Sequence, residues 1–265
     1  MTTLAYTLSD SRVMLRRNLK HQFRYPSMTV MLVGIPIVLL LVFDFVFGGQ
    51  LGAGFGAHEG RRAYLDYVVP GLLLITVASA VQGTSIRVAM DMTGGIIDRF
   101  RTMAIARASV LTGHVLGSLI QTLLALGVLV GVSFALGFHA AAEPFHWLAA
   151  VGILVLFAFA MIWLAVALGL AAKSVETASN TPMILLLLPF FGSGFVSTAT
   201  MPAGLRQFAA YQPFTPVANT VRGQFTGAHL GGDAIAAIAW SVGIAIVAYL
   251  WAIHLYGTRR AAEPN

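Results

Sequence analysis

The sequence has few charged residues and no cysteine. Charged side chains make up 10% of its 265 residues and hydrophobic side chains 58%, whereas soluble globular domains carry about 25% charged residues. So little charge cannot cover the surface of a water-soluble protein, which excludes that class of fold. The absence of cysteine excludes disulfides, thiolate zinc sites and cysteine nucleophiles. Most of the surface must therefore face lipid.

Lysine is also scarce, and the positions of Lys20 and Lys173 exclude a nucleotide-binding loop. Lys20 follows Leu19 and Lys173 follows Ala172, so neither belongs to the Gly-Lys-Ser/Thr sequence of a phosphate-binding loop. The chain alone is not expected to hydrolyse ATP. The net charge of +6 could suggest nucleic acid, but the cytoplasmic loops of membrane proteins carry the same bias. We expect membrane lipids, and no nucleic acid, as partners.

Long uncharged stretches predict six membrane-spanning helices, since a crossing needs about 20 apolar residues. The predicted spans are residues 28–47, 67–87, 108–137, 147–171, 179–200 and 234–257. Six crossings put both termini on one side. Twelve basic residues lie in the termini and loops of that side, against four in the opposite loops, so both termini should be cytoplasmic. We expect no signal peptide, because the basic leading segment is too long.

The leading segment, residues 4–25, has the pattern of a helix that lies on the membrane surface. At about 100° per residue its apolar and basic side chains fall on opposite faces. The apolar face holds Leu4, Leu8, Leu15, Leu19 and Phe23, and the basic face holds Arg16, Arg17, Lys20 and Arg24. The alternative is a basic anchor that only sets the topology. The two interpretations are compatible.

Two loops also contain helical patterns. Residues 94–107 are too charged to cross the membrane, but their apolar residues recur near helical spacing, which predicts a short amphipathic helix. Residues 201–230 mix Pro202, Pro213 and Pro216 with large apolar side chains. This mixture predicts short, broken, re-entrant helices in the outer leaflet, because proline prevents one continuous helix. We expect this segment to close the exit of a transport pathway.

Candidate pathway residues lie in spans one and five. Asp44 is the one acidic residue that falls within a predicted span, which makes it a candidate functional residue. One interpretation gives it a role in substrate or proton transfer. The other is an interfacial carboxylate paired with Arg61 or Arg62. Phe190, Phe191 and Phe195 surround a Gly-Ser-Gly sequence after Pro189. They are either ordinary lipid-facing or core aromatics, or they line a path for an amphipathic substrate.

Other chemistry finds little support in the sequence. Ser193 in span five and His254 in span six suggest an intramembrane serine protease, but the Gly-x-Ser-Gly form fails at Phe191, and packing of small residues explains Ser193 better. The remaining histidines lack the spacing of metal ligands. We therefore predict no catalytic residue, no metal site and no cofactor bound by this chain.

Two segments together resemble the permease subunits of type 2 ABC exporters, in particular the daunorubicin-resistance branch of actinobacteria. The first runs from Asp91 to Arg107 and includes the sequence Gly-Gly-Ile-Ile-Asp-Arg-Phe-Arg. The second is Leu188-Pro189-Phe-Phe-Gly-Ser-Gly-Phe195, followed by Met201-Pro202 and Pro213-Phe-Thr-Pro216. The order of these motifs within a six-span chain is the specific feature, and the resemblance covers most of the chain.

The resemblance implies an all-α membrane protein in which residues 1–265 form a single permease domain. It implies a dimer of permease chains, identical or different, and two copies of a separate ATP-binding subunit that holds ATP and Mg²⁺. Residues 94–107 would act as a coupling helix that docks on this subunit. The coupling residues would then be Gly95, Ile97, Asp98, Arg99, Phe100, Arg101 and Arg107.

The function implied is efflux of small amphipathic drugs or antibiotics across a bacterial plasma membrane. Two alternatives remain open at the level of sequence. One is an exporter of lipid or of a lipid-linked polysaccharide, and the other is a membrane enzyme or assembly subunit that transports nothing. The last class predicts no dependence on an ATPase partner.

Overall fold

The computed structural model describes residues 26–52, 60–94, 107–140 and 143–258, and the description below concerns these residues. They form helices joined by turns, with no strand among them. The predicted surface helix of residues 4–25 lies outside the described residues, as does most of the predicted coupling helix. The protein is an all-helical, multi-pass membrane protein.

Five helices are long and apolar enough to cross a membrane. The first is α1 (Pro26–Leu41), which continues through a π-helical turn (Val42–Phe47) into α2 (Gly48–Gly52). The other four are α3 (Gly60–Thr93), α4 (Arg107–Ala135), α5 (Pro144–Ala171) and α10 (Gly232–Thr258). They contain the predicted spans one, two, four and six completely, and they cover all of span three except its last two residues.

Helices α3 and α5 form the centre of the bundle. In the most apolar stretch of α3, 83% of the residues are buried, whereas only 22% are buried in the most apolar stretches of the first span and of α10. Close packing of α3 on α5 requires glycine at one contact, because a Cβ on Gly169 would lie 2.7 Å from the carbonyl oxygen of Ser85. Small residues of this kind let membrane helices approach. The outer faces of α1 and α10 are left for lipid or another chain.

The predicted fifth span, residues 179–200, is not one continuous helix. It contains the end of α6 (Val175–Asn180), then α7 (Met183–Leu187), a series of tight turns, and a 3₁₀ turn (Thr198–Thr200). Pro182 and Pro189 account for the interruptions, since proline cannot donate the next helical hydrogen bond. The number of crossings therefore depends on whether this broken segment passes through the membrane.

The broken segment runs antiparallel to α3. At one end Gln82 Nε2 donates to the carbonyl oxygen of Ser179 at 3.0 Å. At the other end Gly71 of α3 meets Gly194 so closely that a Cβ on Gly71 would lie 2.5 Å from its carbonyl oxygen. These two contacts are separated by about 16 Å along the axis of α3. The segment thus follows a large part of a membrane-spanning helix.

Residues 201–230 contain two short helices, α8 (Ala203–Tyr211) and α9 (Phe214–Phe225). They meet at a sharp turn around Gln212 and Pro213, and Pro202 stands at the residue before α8. Helix α9 is largely buried and packs against α3, α5 and α10, whereas most of α8 is exposed. The chain between the broken segment and α10 therefore turns back into the bundle.

Candidate functional site

The candidate site is the place where α9 meets the broken segment. Four polar residues follow one another along the start and one face of α9: Gln212, Thr215, Asn219 and Arg222. Their spacing of three or four residues puts them on one side of a helix. That side faces the turns of residues 188–195, whose carbonyl groups have lost their regular helical partners.

Arg222 makes the largest number of these contacts. Its Nη2 donates to the carbonyl oxygen of Ser193 at 2.6 Å, and Nε and Nη2 donate to the carbonyl oxygen of Tyr67 at 3.2 and 3.1 Å. The guanidinium also lies over the ring of Tyr67, 3.9 Å from its centre. Arg222 thus joins α9, α3 and the broken segment through one cation.

The other polar residues of this face complete the network. The hydroxyl group of Ser193 donates to Asn219 Oδ1 at 2.6 Å, and the backbone N–H of Ser193 donates to Thr215 Oγ1 at 3.2 Å. Gln212 Nε2 donates to the carbonyl oxygen of Leu188 at 3.2 Å. Non-helical backbone is tolerated at membrane depth only where the protein or a wet cavity satisfies it, and these side chains meet that condition.

Burial and the neighbouring Tyr67 have opposite effects on the pKa of Arg222. Burial, the larger effect, lowers the pKa of the guanidinium, and the Coulombic influence of Tyr67 raises it. An arginine nevertheless stays protonated at neutral pH. The network is therefore held by a permanent positive charge on neutral carbonyl and amide oxygens, without a carboxylate among these contacts.

The three candidate phenylalanines occupy two different environments. The Phe195 side chain is buried, and its ring stacks between Phe43 at 4.7 Å and Phe190 at 4.8 Å, both nearly parallel to it. Phe190 and Phe191 are 42% and 45% exposed. Phe195 is therefore the middle of an aromatic column, whereas Phe190 ends the column with an accessible ring. Phe191 is accessible as well.

Asp44 lies in the π-helical turn of span one and is 1% exposed. Both of its carboxylate oxygens accept hydrogen bonds from Arg61, from Nε at 2.8 Å and from Nη2 at 2.7 Å. Of the two arginines considered as partners, Arg61 is the one that binds it. This bidentate pair links the far end of the first span to the beginning of α3.

The remaining predicted site residues are not brought into the network. Pro202 is exposed before α8, and its carbonyl oxygen accepts from the backbone N–H of Arg206 at 2.8 Å, while Pro213 is half-buried at the turn beside Gln212. The predicted coupling residues 95–101 lie outside the described residues. Arg107 is the first residue of α4, and its side chain is outside the described part.

The ends of α3 and α4 that flank residues 95–106 are joined by side chains. Arg87 Nη2 donates to Ser118 Oγ at 3.1 Å, and His114 Nε2 lies 3.2 Å from Asp91 Oδ2. The two contacts are about one helical turn apart on each helix. The two helices are therefore tied to each other at these ends.

The sequence prediction missed the role of Arg222, which it counted as a basic residue of an outer loop. A signal was present, because Thr215, Asn219 and Arg222 recur at helical spacing and form a polar stripe in an otherwise apolar helix. Tyr67 gave no comparable signal. Its partners, Ser193 and Arg222, are far away in the sequence, and only the folded chain brings them together.

Comparison with known proteins agrees with this architecture. The chain is 28% identical over 238 residues to "Daunorubicin resistance ABC transporter permease protein DrrB1" of Streptomyces coeruleorubidus, covering 89% of this chain and 82% of the relative. It is 25% identical over 217 residues to "Probable doxorubicin resistance ABC transporter permease protein DrrC" of Mycobacterium tuberculosis (strain ATCC 25618 / H37Rv), covering 80% and 75% of the two chains. Residues 10–226 match the profile of the ABC-2 type transporter family. The protein therefore belongs to the ABC-2 type transporter family, whose members are membrane permeases that associate with an ATP-binding subunit.

Proposed function

We propose that this chain is the membrane-spanning permease subunit of an ATP-driven exporter of aromatic, amphipathic drugs. Its relatives bear the names of daunorubicin and doxorubicin resistance permeases. ATP and Mg²⁺ bind to a separate subunit, present in two copies, and this chain binds neither. Two permease chains, identical or different, form the pathway across a bacterial plasma membrane. Both termini face the cytoplasm.

The observation that carries the proposal is the accessible end of the aromatic column beside the broken segment. Phe190 exposes a ring whose inner face stacks on Phe195. A planar aromatic cargo can continue such a stack, because offset parallel rings attract one another through their quadrupoles and their apolar area. The exposed apolar rings of Phe190 and Phe191 suit loose binding of several compounds.

The network around Arg222 determines which parts of the protein move together. Helix α9 and the turns of residues 188–195 are tied by several hydrogen bonds, so we expect them to shift as one unit. Arg222 also ties this unit to Tyr67 of α3, beside the close contact of Gly71 with Gly194. Opening of the exit is then a displacement of α9, the broken segment and this end of α3 together.

ATP drives this displacement by a population shift. Closure of the ATP-binding subunits moves the coupling segment of residues 94–107, and the outward-open state of the permease becomes the favoured one. The contacts of Arg87 with Ser118 and of His114 with Asp91 pass the movement to α3 and α4. Helix α3 carries it to the Gly71 contact at the opposite end.

The test uses inside-out membrane vesicles that contain this chain and its ATP-binding subunit. We expect ATP-dependent uptake of doxorubicin, which is followed by its fluorescence. The Phe190→Ala variant should lower uptake of planar aromatic drugs several-fold more than uptake of non-planar ones. Phe208→Ala, at a ring of α8 that is 51% exposed, is the matched control and should leave the order of the compounds unchanged.

Two outcomes would contradict the proposal. If uptake does not depend on the ATP-binding subunit, the chain is not the permease of an ABC exporter. If the vesicles move lipid or lipid-linked polysaccharide but no aromatic drug, the cargo is wrong although the class of protein is right.

A further inference from the structure

A second polar region lies at the other end of α3, far from the network around Arg222. A cavity of about 300 Å³ opens there between α1, α3, α4 and the broken segment. Arg87 lies on its wall, six residues before the end of α3 at Thr93, which is about 9 Å along the helix. The opposite part of the wall is apolar and includes Met31, Ile35 and Leu186.

Arg87 has more hydrogen-bond donors than the described residues use. Its Nη2 donates to the hydroxyl oxygens of Thr84 and Ser118, at 3.2 and 3.1 Å. A guanidinium carries five N–H donors, and no carboxylate among the described residues forms an ion pair with this one. Asp91, one turn further along α3, lies against His114 instead. Among the described residues, the partners of the Arg87 cation are therefore two neutral hydroxyl groups.

The same cavity contains an acceptor without a donor. Gln121 is 5% exposed and donates from Nε2 to Thr29 Oγ1 at 2.8 Å, while its Oε1 has no partner. Gln121 lies one turn from Ser118 on α4, so its amide is close to the hydroxyl group that Arg87 contacts. The hydroxyl oxygen of Ser79 on the same wall also lacks a partner. Buried polar groups are usually paired, so these atoms point to a ligand.

We infer that this cavity binds the head group of an anionic glycerophospholipid that carries free hydroxyl groups, such as phosphatidylglycerol. The phosphate binds the free N–H groups of Arg87, and a glycerol hydroxyl donates to Gln121 Oε1. The acyl chains lie along Met31, Ile35 and Leu186, where the cavity is apolar. The lipid is a resident component of the permease and is distinct from the cargo.

The positive charge of Arg87 favours an anionic lipid over the proposed drug cargo as the occupant of this cavity. An amphipathic drug with a positive charge is repelled by Arg87, whereas an anionic lipid is attracted. Basic pockets between membrane helices on the cytoplasmic side are typical binding places for anionic head groups. The cavity lies near the end of α3 that precedes residue 95, on the side where the positive-inside rule places the cytoplasm. The site is thus suited to the leaflet that supplies such lipids.

The experiment measures lipid bound to the purified full-length chain, without any transport assay. The chain is placed in nanodiscs of phosphatidylcholine doped with phosphatidylglycerol, phosphatidic acid or phosphatidylethanolamine, and the retained lipid is counted by native mass spectrometry. We expect retention of phosphatidylglycerol first, then phosphatidic acid, which has the charge but no hydroxyl, and little of the others. Soluble glycerol phosphate should not displace the lipid, because it lacks the acyl chains.

Three variants connect the binding to the cavity. Arg87→Gln should weaken phosphatidylglycerol binding about tenfold, the loss expected for a charge-assisted hydrogen bond. Arg206→Gln removes an exposed arginine elsewhere and should change nothing. Gln121→Glu keeps Arg87 but gives it a carboxylate within the protein, so it should also expel the anionic lipid. This last variant keeps the test valid if Arg87→Gln does not fold.

The inference is overturned by any of three results. The first is equal retention of phosphatidylglycerol and phosphatidylcholine. The second is unchanged retention in the Gln121→Glu variant. The third is a cavity closed by another copy of this chain, in which case Arg87→Gln changes the proportion of dimer and leaves lipid retention as it was. Failure of drug transport would not affect the inference, because no transport is measured.

Discussion

Arg222 is the residue on which the broken segment depends most. Replacing it with methionine keeps the approximate length of the side chain but removes the donors to the carbonyl oxygens of Ser193 and Tyr67. A buried hydrogen bond to a charged group contributes about 2 kcal/mol, so we expect Arg222→Met to lower the free energy of unfolding by at least that amount. Denaturation of the purified chain in mild detergent measures it.

Arg206→Met is the matched control for this variant. Arg206 is exposed on α8, and its side chain donates to the carbonyl oxygen of Met201. Surface substitutions of this kind usually change stability by less than about 0.5 kcal/mol. Equal losses in the two variants would show that Arg222 does not hold the broken segment.

Loss of Arg61 should lower stability more than loss of its partner Asp44. Asp44 is buried and the Arg61 side chain is 51% exposed. Arg61→Gln leaves a buried carboxylate without its cation, which should lower stability by about 3 kcal/mol. Asp44→Asn keeps the shape and frees an arginine that can turn to water, so the expected loss is only about 1 kcal/mol. Unfolding of both variants in detergent tests this order.

Transport by Asp44→Asn separates the two interpretations of this residue. An interfacial carboxylate that only joins two helices predicts drug uptake with an unchanged dependence on pH. A role in proton or substrate transfer predicts loss of uptake, or of its dependence on pH, in a variant that still folds. Uptake measured in vesicles between pH 6 and pH 8 distinguishes them.

At the scale of secondary structure, the glycines of α3 and the broken segment set how closely the two approach. A Cβ on Gly71 would lie 2.5 Å from the carbonyl oxygen of Gly194, a backbone atom that cannot move away alone. Overpacking costs about 1–3 kcal/mol, so we expect Gly71→Ala to lower stability by that amount. Gly127→Ala on α4 is the control, because no atom lies within 4 Å of its added Cβ. Thermal unfolding in detergent compares them.

The coupling segment gives the second prediction at this scale. Residues 94–107 alternate apolar and charged side chains, and Phe100 is the largest apolar one. An aspartate at position 100 would put a charge into an apolar groove of the ATP-binding subunit. We expect Phe100→Asp to abolish the stimulation of ATP hydrolysis by cargo and to leave the unfolding of the permease unchanged. Normal stimulation in this variant would place the contact elsewhere.

The sequence predicted most of the long helices because their signal is local. Lengths of uncharged chain between residues such as Asp66 and Arg87 locate a crossing without any knowledge of its neighbours. The break in the fifth span was also visible in Pro189 and in the glycines that follow it. The sequence could not show which side chains bind the carbonyl groups of Leu188, Ser193 and Tyr67. Tyr67 and Arg222 are 155 positions apart, and no periodic pattern connects such distant residues.

The two sites divide the molecule along α3. At one end the cation of Arg222 is satisfied by carbonyl oxygens within the protein. At the other end the cation of Arg87 faces a cavity with unused acceptors. The same residue type therefore serves two purposes, one fixed by internal hydrogen bonds and one open to a ligand. In the proposed mechanism, helix α3 carries movement from one end to the other.

At the scale of the whole molecule, the side of the membrane on which each terminus lies tests whether the broken segment crosses the membrane. Among the described residues, five helices are long and apolar enough to cross the membrane, and five crossings alone would put the two termini on opposite sides. A sixth crossing by residues 175–197 restores both termini to the same side. The antiparallel course of this segment along about 16 Å of α3 favours that crossing, and so does the excess of basic residues at both ends of the chain.

We therefore expect a reporter fused before Met1 and a reporter fused after Asn265 to be active only in the cytoplasm. A third reporter, inserted after His229 between α9 and α10, should be accessible only from outside, because a single crossing separates it from the C-terminus. Protease protection in right-side-out and inside-out vesicles reads all three positions. A cytoplasmic N-terminus with an external C-terminus would mean that the broken segment enters and leaves on one side. The exit proposed around Phe190 would then lie on the wrong face of the membrane.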